Sequence, residues 1–280
     1  MALSILTNVA SLNAQSNLAN TQSALAKSIG RLSSGMRINS ASDDAAGLGI
    51  SQNLSADIKS ISQAQRNAND AISMSQVAEG AMNQMQGIVS RMRELSVQSA
   101  NSTLGSDERG YIQTEFSQLS QEVNRIGQVT NFGSQKLLDG SASAGLTFQV
   151  GINNTANDRL AMSITKLTTS TLGSTSLHIA SASLSTAANA QAAIGAFDKA
   201  IQQLSQARAK VGASQNRMSV TVSNLASSYT NLSAANSRIT DVDVAEETAA
   251  MTKSNILSQA GLAVLAQANQ LPQAALKLLQ

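Results

Sequence analysis

Apolar side chains recur in alternating steps of three and four at Ile194, Phe197, Ile201, Leu204, Val211, Met218, Val222, Leu225, Tyr229, Leu232 and Ile239. This heptad spacing keeps one helix face turned toward a partner helix. Arg208, Gln215 and Asn236 occupy seam positions and interrupt the stripe, but no proline falls inside it. At the usual rise per residue the pattern predicts a helix of roughly 70 Å. A partner is predicted in the first half. Its stripe runs Leu54, Ile58, Ile61, Gln65, Ala68, Ile72, then changes register to Met74, Ala78, Ala81, Met85, Ile88, Met92, Leu95. Ser42 followed by Asp43 and Asp44 predicts the N-cap, with acidic residues where the helix dipole favours negative charge.

Asn101 to Gly105 breaks that helix, and Ser106, Asp107 and Glu108 open a third, with Ile112, Phe116, Leu119, Val123 and Ile126 on one face. The period then drops to two. Leu146, Phe148, Val150 and Ile152 alternate with polar residues, as do Leu160, Met162 and Ile164 after the turn-rich stretch 153–158. That pattern predicts a β-hairpin. Residues 166–186, rich in Ser and Thr, are expected to form a surface loop.

The two ends differ from the middle. Ile5, Val9 and Leu12, then Leu18, Leu25, Ile29 and Leu32, give the first segment its apolar stripes, and no charge precedes Lys27. Leu257, Gly261, Val264, Ala268, Leu271 and Leu278 keep heptad steps at the other end, with no charge between Lys253 and Lys277. An isolated surface helix usually carries charge on its back. A neutral hydroxyl- and amide-bearing back is desolvated at far lower cost than a charged one. The two terminal helices are therefore expected to pair with each other and then enter an interface. Ile5, Val9, Leu12, Leu18, Leu25, Leu32, Leu257, Val264, Leu271 and Leu278 are the expected self-assembly residues.

Composition sharpens this. Among 280 residues there is no Cys or Trp, one Pro and one His, with two Tyr and four Phe. Cores short of aromatic area must bury Ala, Leu, Ile, Val and Met, which suits long helices packed closely. The net charge of +2 is weak, and no basic run or aromatic platform marks a nucleic-acid site. The polar residues Ser4, Thr7, Asn8, Ser11 and Asn13 interrupt the apolar start, so neither a cleavable secretion signal nor a membrane-spanning helix is expected there.

Catalytic chemistry finds no footing. His178 is the only histidine, which excludes a multi-histidine metal site. Asp43 and Asp44 are adjacent and do not face each other on a helix. Asp241 and Asp243, ahead of Glu246 and Glu247, are read as another helix start near Thr240. Gly47 and Gly49 lack the strand-then-helix context of a phosphate loop and are read as packing or hinge positions. No enzyme, cofactor or metal is expected.

The sequence resembles bacterial flagellin over nearly its whole length. The matching segments are Asn8-Val9-Ala10-Ser11-Leu12-Asn13-Ala14, the stretch Arg31 to Ala41 with Asp43 to Gly47, Ser237 to Asp243, and Gln259 to Pro272. The resemblance implies a mainly α protein: a long antiparallel coiled-coil bundle formed by N- and C-terminal halves, with a small β-hairpin. It implies that residues 1–40 and 241–280 form the inner core of a filament. Residues 41–140 and 187–240 would form an outer tube, with 141–186 as hairpin and short variable loop. It implies a minimal form, without large outer domains, serving motility as an extracellular filament subunit. Export through the flagellar type III apparatus, an export chaperone, and filament cap and junction proteins are implied in the same way. A hook-filament junction or cap-type axial protein is the alternative. The stretch Ser90 to Gln98 resembles the flagellin segment that vertebrate Toll-like receptor 5 recognises. By position it makes Arg91 and Leu95, four apart on one expected helix face, and Glu115 the candidate contacts.

Overall fold

The structure, a computed structural model, describes residues 7–277, with side chains as far as residue 270. Five α-helices dominate: α1 (Val9–Ser34), α2 (Ala45–Ser99), α3 (Ser106–Val129), α4 (Ala187–Thr240) and α5 (Val244–Lys277). Two antiparallel hairpins accompany them, β1 (Asn131–Phe132) with β2 (Gln135–Lys136), and β3 (Leu146–Gln149) with β4 (Arg159–Met162). The chain divides into two compact units, one made of Met1–Ile58 with Thr230–Gln280, the other of Lys59–Tyr229.

In the unit 59–229, α2 and α4 run antiparallel. Arg93 meets Asp198 at 2.6 Å, Arg208 meets Gln86 at 2.8 Å, and Gln215 reaches Glu79 at 3.4 Å. The helices form where the heptads predicted them, but the seam runs through smaller residues. On α2 one unbroken alternation of threes and fours is buried, Ile61, Ala64, Ala68, Ala71, Ser75, Ala78, Met82, Met85, Val89, Met92, Ser96 and Ser99, with Met74 and Leu95 buried beside it. The predicted change of register is absent. The second predicted stripe shares Ala78, Met85 and Met92 with this seam, and its Met74 and Leu95 are buried on the flank of a helix covered on more than one side. On α4, Ala193, Ala200 and Ala207 are buried beside Phe197, Leu204, Val211 and Met218. Ile194, Ile201 and Arg208 are only half-buried. Arg208 and Gln215 thus sit beside the seam, where their polar pairing with α2 fixes its register.

α3 buries Ile112, Phe116 and Val123 as expected, and the Phe116 ring packs edge-on against Phe197 with centroids 5.8 Å apart. Asp107 and Glu108 occupy its first turn. The β3–β4 hairpin follows the period-two prediction, pairing Leu146 with Met162 and Phe148 with Leu160. It is fastened to α2 by Asn67, which donates to the Gln149 carbonyl at 2.9 Å, and by the Ser75 hydroxyl, which donates to the Met162 sulfur at 3.1 Å.

Residues 166–186 are not the surface loop the composition suggested. Leu167, Leu172, Ile179 and Leu184 are at most 2% exposed and belong to the core. Backbone groups there are satisfied by other elements, as a buried irregular segment requires. Ser99 donates to the Leu184 carbonyl, and Leu184 N–H donates to Gln113. At Gly127 a Cβ would stand 2.5 Å from the Leu167 carbonyl oxygen, so only glycine lets this segment lie against α3. His178 is half-buried here and pairs with Gly173 through a backbone bridge, a structural placement.

Candidate self-assembly surface

The unit containing both chain ends is built around α1 and α5. Asn8 caps α1 by accepting from Ser11 N–H, and Gly35 ends it at φ 71°, a left-handed turn that glycine adopts without Cβ strain. α5 starts at Val244, not Thr240, because the Asp243 carboxylate accepts from the N–H groups of Ala245 and Glu246. Glu246 and Glu247 fill its first turn. For α2 the cap is Asp44, accepting from Gly47 N–H at 2.8 Å, and not Ser42. Gly47 is buried and its missing Cβ leaves room for Ile38 and Asp44, whereas Gly49 faces open space.

α1 and α5 pair antiparallel. Asn8 donates to the Ala268 carbonyl at 2.8 Å, Ser11 to Asn269 at 2.8 Å, and Arg31 meets Glu247 at 3.4 Å at the far end. The covered positions on α1 are Ser11, Ala14, Leu18, Thr21, Leu25 and Ser28, with Arg31 and Leu32 in its last turn. On α5 they are Met251, Ser254, Ser258, Gly261, Leu265 and Ala268. Most of these are small or hydroxyl-bearing, and Gly261 lets Leu18 lie across it. A second set of large aliphatic residues points the other way. Val9, Leu12 and Ile29 on α1, with Val244, Ile256, Leu257, Leu262 and Val264 on α5, are 49% to 62% exposed.

The expected assembly residues therefore fall into two sets. Leu18, Leu25 and Leu32 are half-buried, whereas Val9, Leu12, Leu257 and Val264 stand in solvent. Ile5 and Leu278 lie outside the described residues, as does the side chain of Leu271. Val244, Ile256 and Leu257 line a shallow groove on α5 with Thr248, Thr252 and Lys253. Exposed apolar area of this extent on a folded chain marks an interaction surface.

A polar clasp joins the two connectors within this unit. Arg37 N–H donates to the Thr240 carbonyl, Val242 N–H to the Gly35 carbonyl, and the Arg37 guanidinium to the Ile239 carbonyl. Asp43 is gripped by Lys27 at 2.6 Å and by the N–H groups of Asn39 and Ser40. Lys27, helped by the Asn39 and Ser40 N–H groups, lowers the Asp43 carboxyl from 3.8 to about 2 against the opposing effect of burial. A depressed carboxylate stabilises the fold fully above its unfolded pKa, and that contribution fades as pH falls from about 4 through about 2. In Lys27→Met the Asp43 carboxyl is expected to titrate higher, toward its ordinary value. Side-chain carbon-13 shifts against pH give the comparison, and an unmoved midpoint would show that Lys27 is not the main cause.

In the unit 59–229, the expected receptor residues separate. Arg91 is exposed, reaching Glu115 at 3.0 Å and Glu94 at 3.1 Å, and these carboxylates, Glu115 first, raise its pKa. Leu95 does not share that face: it is 1% exposed and belongs to the core. Position 95 lies at the flank of the α2 seam, between Met92 and Ser96, and the packing on that side covers it.

The bacterial flagellin N-terminal helical region matches residues 5–143, and the bacterial flagellin C-terminal helical region matches residues 194–279. The chain belongs to the bacterial flagellin family. It is 42% identical over 273 residues to a flagellin of Halalkalibacterium halodurans, with 98% of each chain covered. To the flagellar filament core protein flaB2 of Brachyspira hyodysenteriae it is 40% identical over 282 residues, again with 98% of each covered. A solved Vibrio parahaemolyticus chain described as hook-associated is 16% identical, with a TM-score of 0.60 over 71% of this chain and 100% of that one, a likeness of fold alone. As a flagellin of minimal form, the chain is a structural subunit of the extracellular flagellar filament and not an enzyme. Among the described residues no helix is long and apolar enough to cross a membrane.

Proposed function

We propose that the α1–α5 pair forms the inner core of the filament, while helices of the unit 59–229 form its outer layer. The observation that carries this is the outward placement of Val9, Leu12, Ile29, Ile256, Leu257, Leu262 and Val264 on helices whose remaining surface is mostly neutral. Identical copies stacked head to tail would cover these side chains. Such a contact does not close on itself, so it propagates as an open helix. The self-assembly residues are Val9, Leu12, Leu257 and Val264 at the contact between copies, with Leu18, Leu25 and Leu32 holding the pair together. Ile5, Leu271 and Leu278 extend the same stripes in sequence. Seeds of sheared filament added to purified chain should grow to micrometre length under the electron microscope. A solution that stays monomeric under seeding sinks the proposal.

Export without a cleavable signal, with an export chaperone and with cap and junction proteins at the filament ends, is part of the same proposal, and membership of the flagellin family is what supports it. Recognition of the monomer by Toll-like receptor 5 is its second part. The sequence of Ser90 to Gln98 and the exposed Arg91–Glu115 pair support it. Leu95 would act from beneath, by holding α2 in register. Loss of one charged hydrogen-bonding group should weaken recognition about tenfold. Arg91→Ala is therefore expected to shift the dose–response of receptor-bearing reporter cells to higher monomer concentration. An unchanged curve removes the receptor claim and leaves the assembly claim standing.

A further inference from the structure

The face of α4 is electrically one-sided. No acidic residue occurs between Asp198 and Asp241, whereas Lys199, Arg208, Lys210 and Arg217 all lie in that interval. Lys199, Lys210 and Arg217 are separated by steps of eleven and seven. Those steps bring them within about 20° of one another around the helix, on a stripe about 27 Å long. All three are exposed. From the buried segment beside α4 comes a fourth cation: Lys166 lines a cleft with Thr165, Gln206 and Lys210. The neighbouring cleft is lined by Thr175, His178 and Lys199, and Thr171 and Gln203 belong to both. Gln203 is pinned between them, accepting from Gly173 N–H at 3.0 Å and donating to its carbonyl at 3.1 Å. The two clefts adjoin at Thr171 and Gln203 and are taken together as one furrow.

These cations are not neutralised within the chain. Asp198 is occupied by Arg93, and Asp139 by the hydroxyl and N–H of Ser141. Among the described residues no carboxylate lies within ion-pair distance of Lys166, Lys199, Lys210 or Arg217. A line of cations spaced about 10 to 16 Å apart suits a chain that carries anions at intervals. Thr165, Thr175 and Gln206 add groups that can hydrogen-bond to sugar hydroxyls and sulfates. Neither cleft is lined by Phe, Tyr or Trp, so His178 is the one ring on which a base of single-stranded nucleic acid could stack, too little for a run of bases.

We propose that this furrow on α4 binds an extended acidic polysaccharide, one bearing sulfate or uronate groups. The site lies in the unit 59–229 and uses none of the residues assigned to assembly, so it stands apart from the filament proposal.

Heparin serves as the sulfated probe, uncharged dextran as its neutral counterpart and single-stranded DNA as the rival polyanion. Binding to monomer is measured by calorimetry from about 50 mM salt upward. Heparin should bind at low salt and weaken steeply as salt rises, dextran should not bind, and DNA should bind at least tenfold more weakly than heparin. The triple variant Lys166→Ala, Lys199→Ala, Lys210→Ala should lose at least tenfold in heparin affinity. Lys59→Ala, an exposed cation elsewhere on α2, should lose none. Circular dichroism confirms that each variant is folded, which substitutions at exposed side chains permit. No heparin binding at low salt, equal loss in Lys59→Ala, or DNA binding as tight as heparin would each overturn the assignment.

Discussion

Val264→Asp is expected to give a folded, soluble monomer that does not form filaments. Val264 is 57% exposed on α5, turned away from the pair with α1. In the monomer the new carboxylate would be hydrated and the α1–α5 seam untouched. In the proposed filament core the same position is covered by another copy, and the carboxylate must shed water with no cation assigned to meet it. Burying an unpaired charge costs several kcal/mol. Each 1.4 kcal/mol raises the concentration needed for assembly about tenfold, so the requirement should rise by more than a hundredfold. Sedimentation after seeding makes the measurement. Pelleting at wild-type concentration would show that this face of α5 is not an assembly contact.

Removal of residues 1–30, or of residues 255–280, should abolish polymerisation altogether while leaving the helices of the unit 59–229 in place. Either deletion takes away most of one partner of the α1–α5 pair, and with it Val9, Leu12 and Ile29 or Ile256, Leu257, Leu262 and Val264 of the outward aliphatic surface. The survivor lacks the neighbour that satisfies Asn8 and Ser11, or Ala268 and Asn269. The core of the other unit, from Ala71 to Met218, draws on neither deleted segment. Its cooperative thermal transition should therefore persist. Normal filaments from either truncated chain would refute the core assignment. Loss of the main thermal transition would show instead that the unit 59–229 depends on the ends for its fold.

Much of this architecture is legible in the spacing of side chains. The heptads located α2, α3 and α4, and the period of two located β3 and β4. Finer detail failed where small residues decide the packing. Ala64, Ala71, Ala193 and Ala200 carry the seam, yet an alanine looks the same in sequence on a buried face as on an exposed one. The burial of the stretch 166–186 is hidden in the sequence because its Leu and Ile residues follow neither a helical nor a strand period. They are buried by neighbours distant in sequence. The β1–β2 hairpin has two residues per strand, too few for any alternation to register, and only Gly133 at φ 59° marks its turn. At the ends, neutral backs and apolar stripes were readable, but not which apolar residue faces α1 and which faces outward. Nor was the cationic furrow visible as a run, since its charges lie seven and eleven residues apart and come into line only on a formed helix.

The interior of the unit 59–229 is lined with thioethers: Met74, Met82, Met85 and Met92 of α2, Met162 of β4 and Met218 of α4 are each at most 4% exposed. Unbranched side chains with three soft torsions refill a changing gap at little cost, where branched ones would clash or leave a void. Beside the alanines they give this interior the character of a lubricated bearing. A load that drags α2 along α4 would be taken up by swivelling side chains and given back elastically, without rupture of the packing.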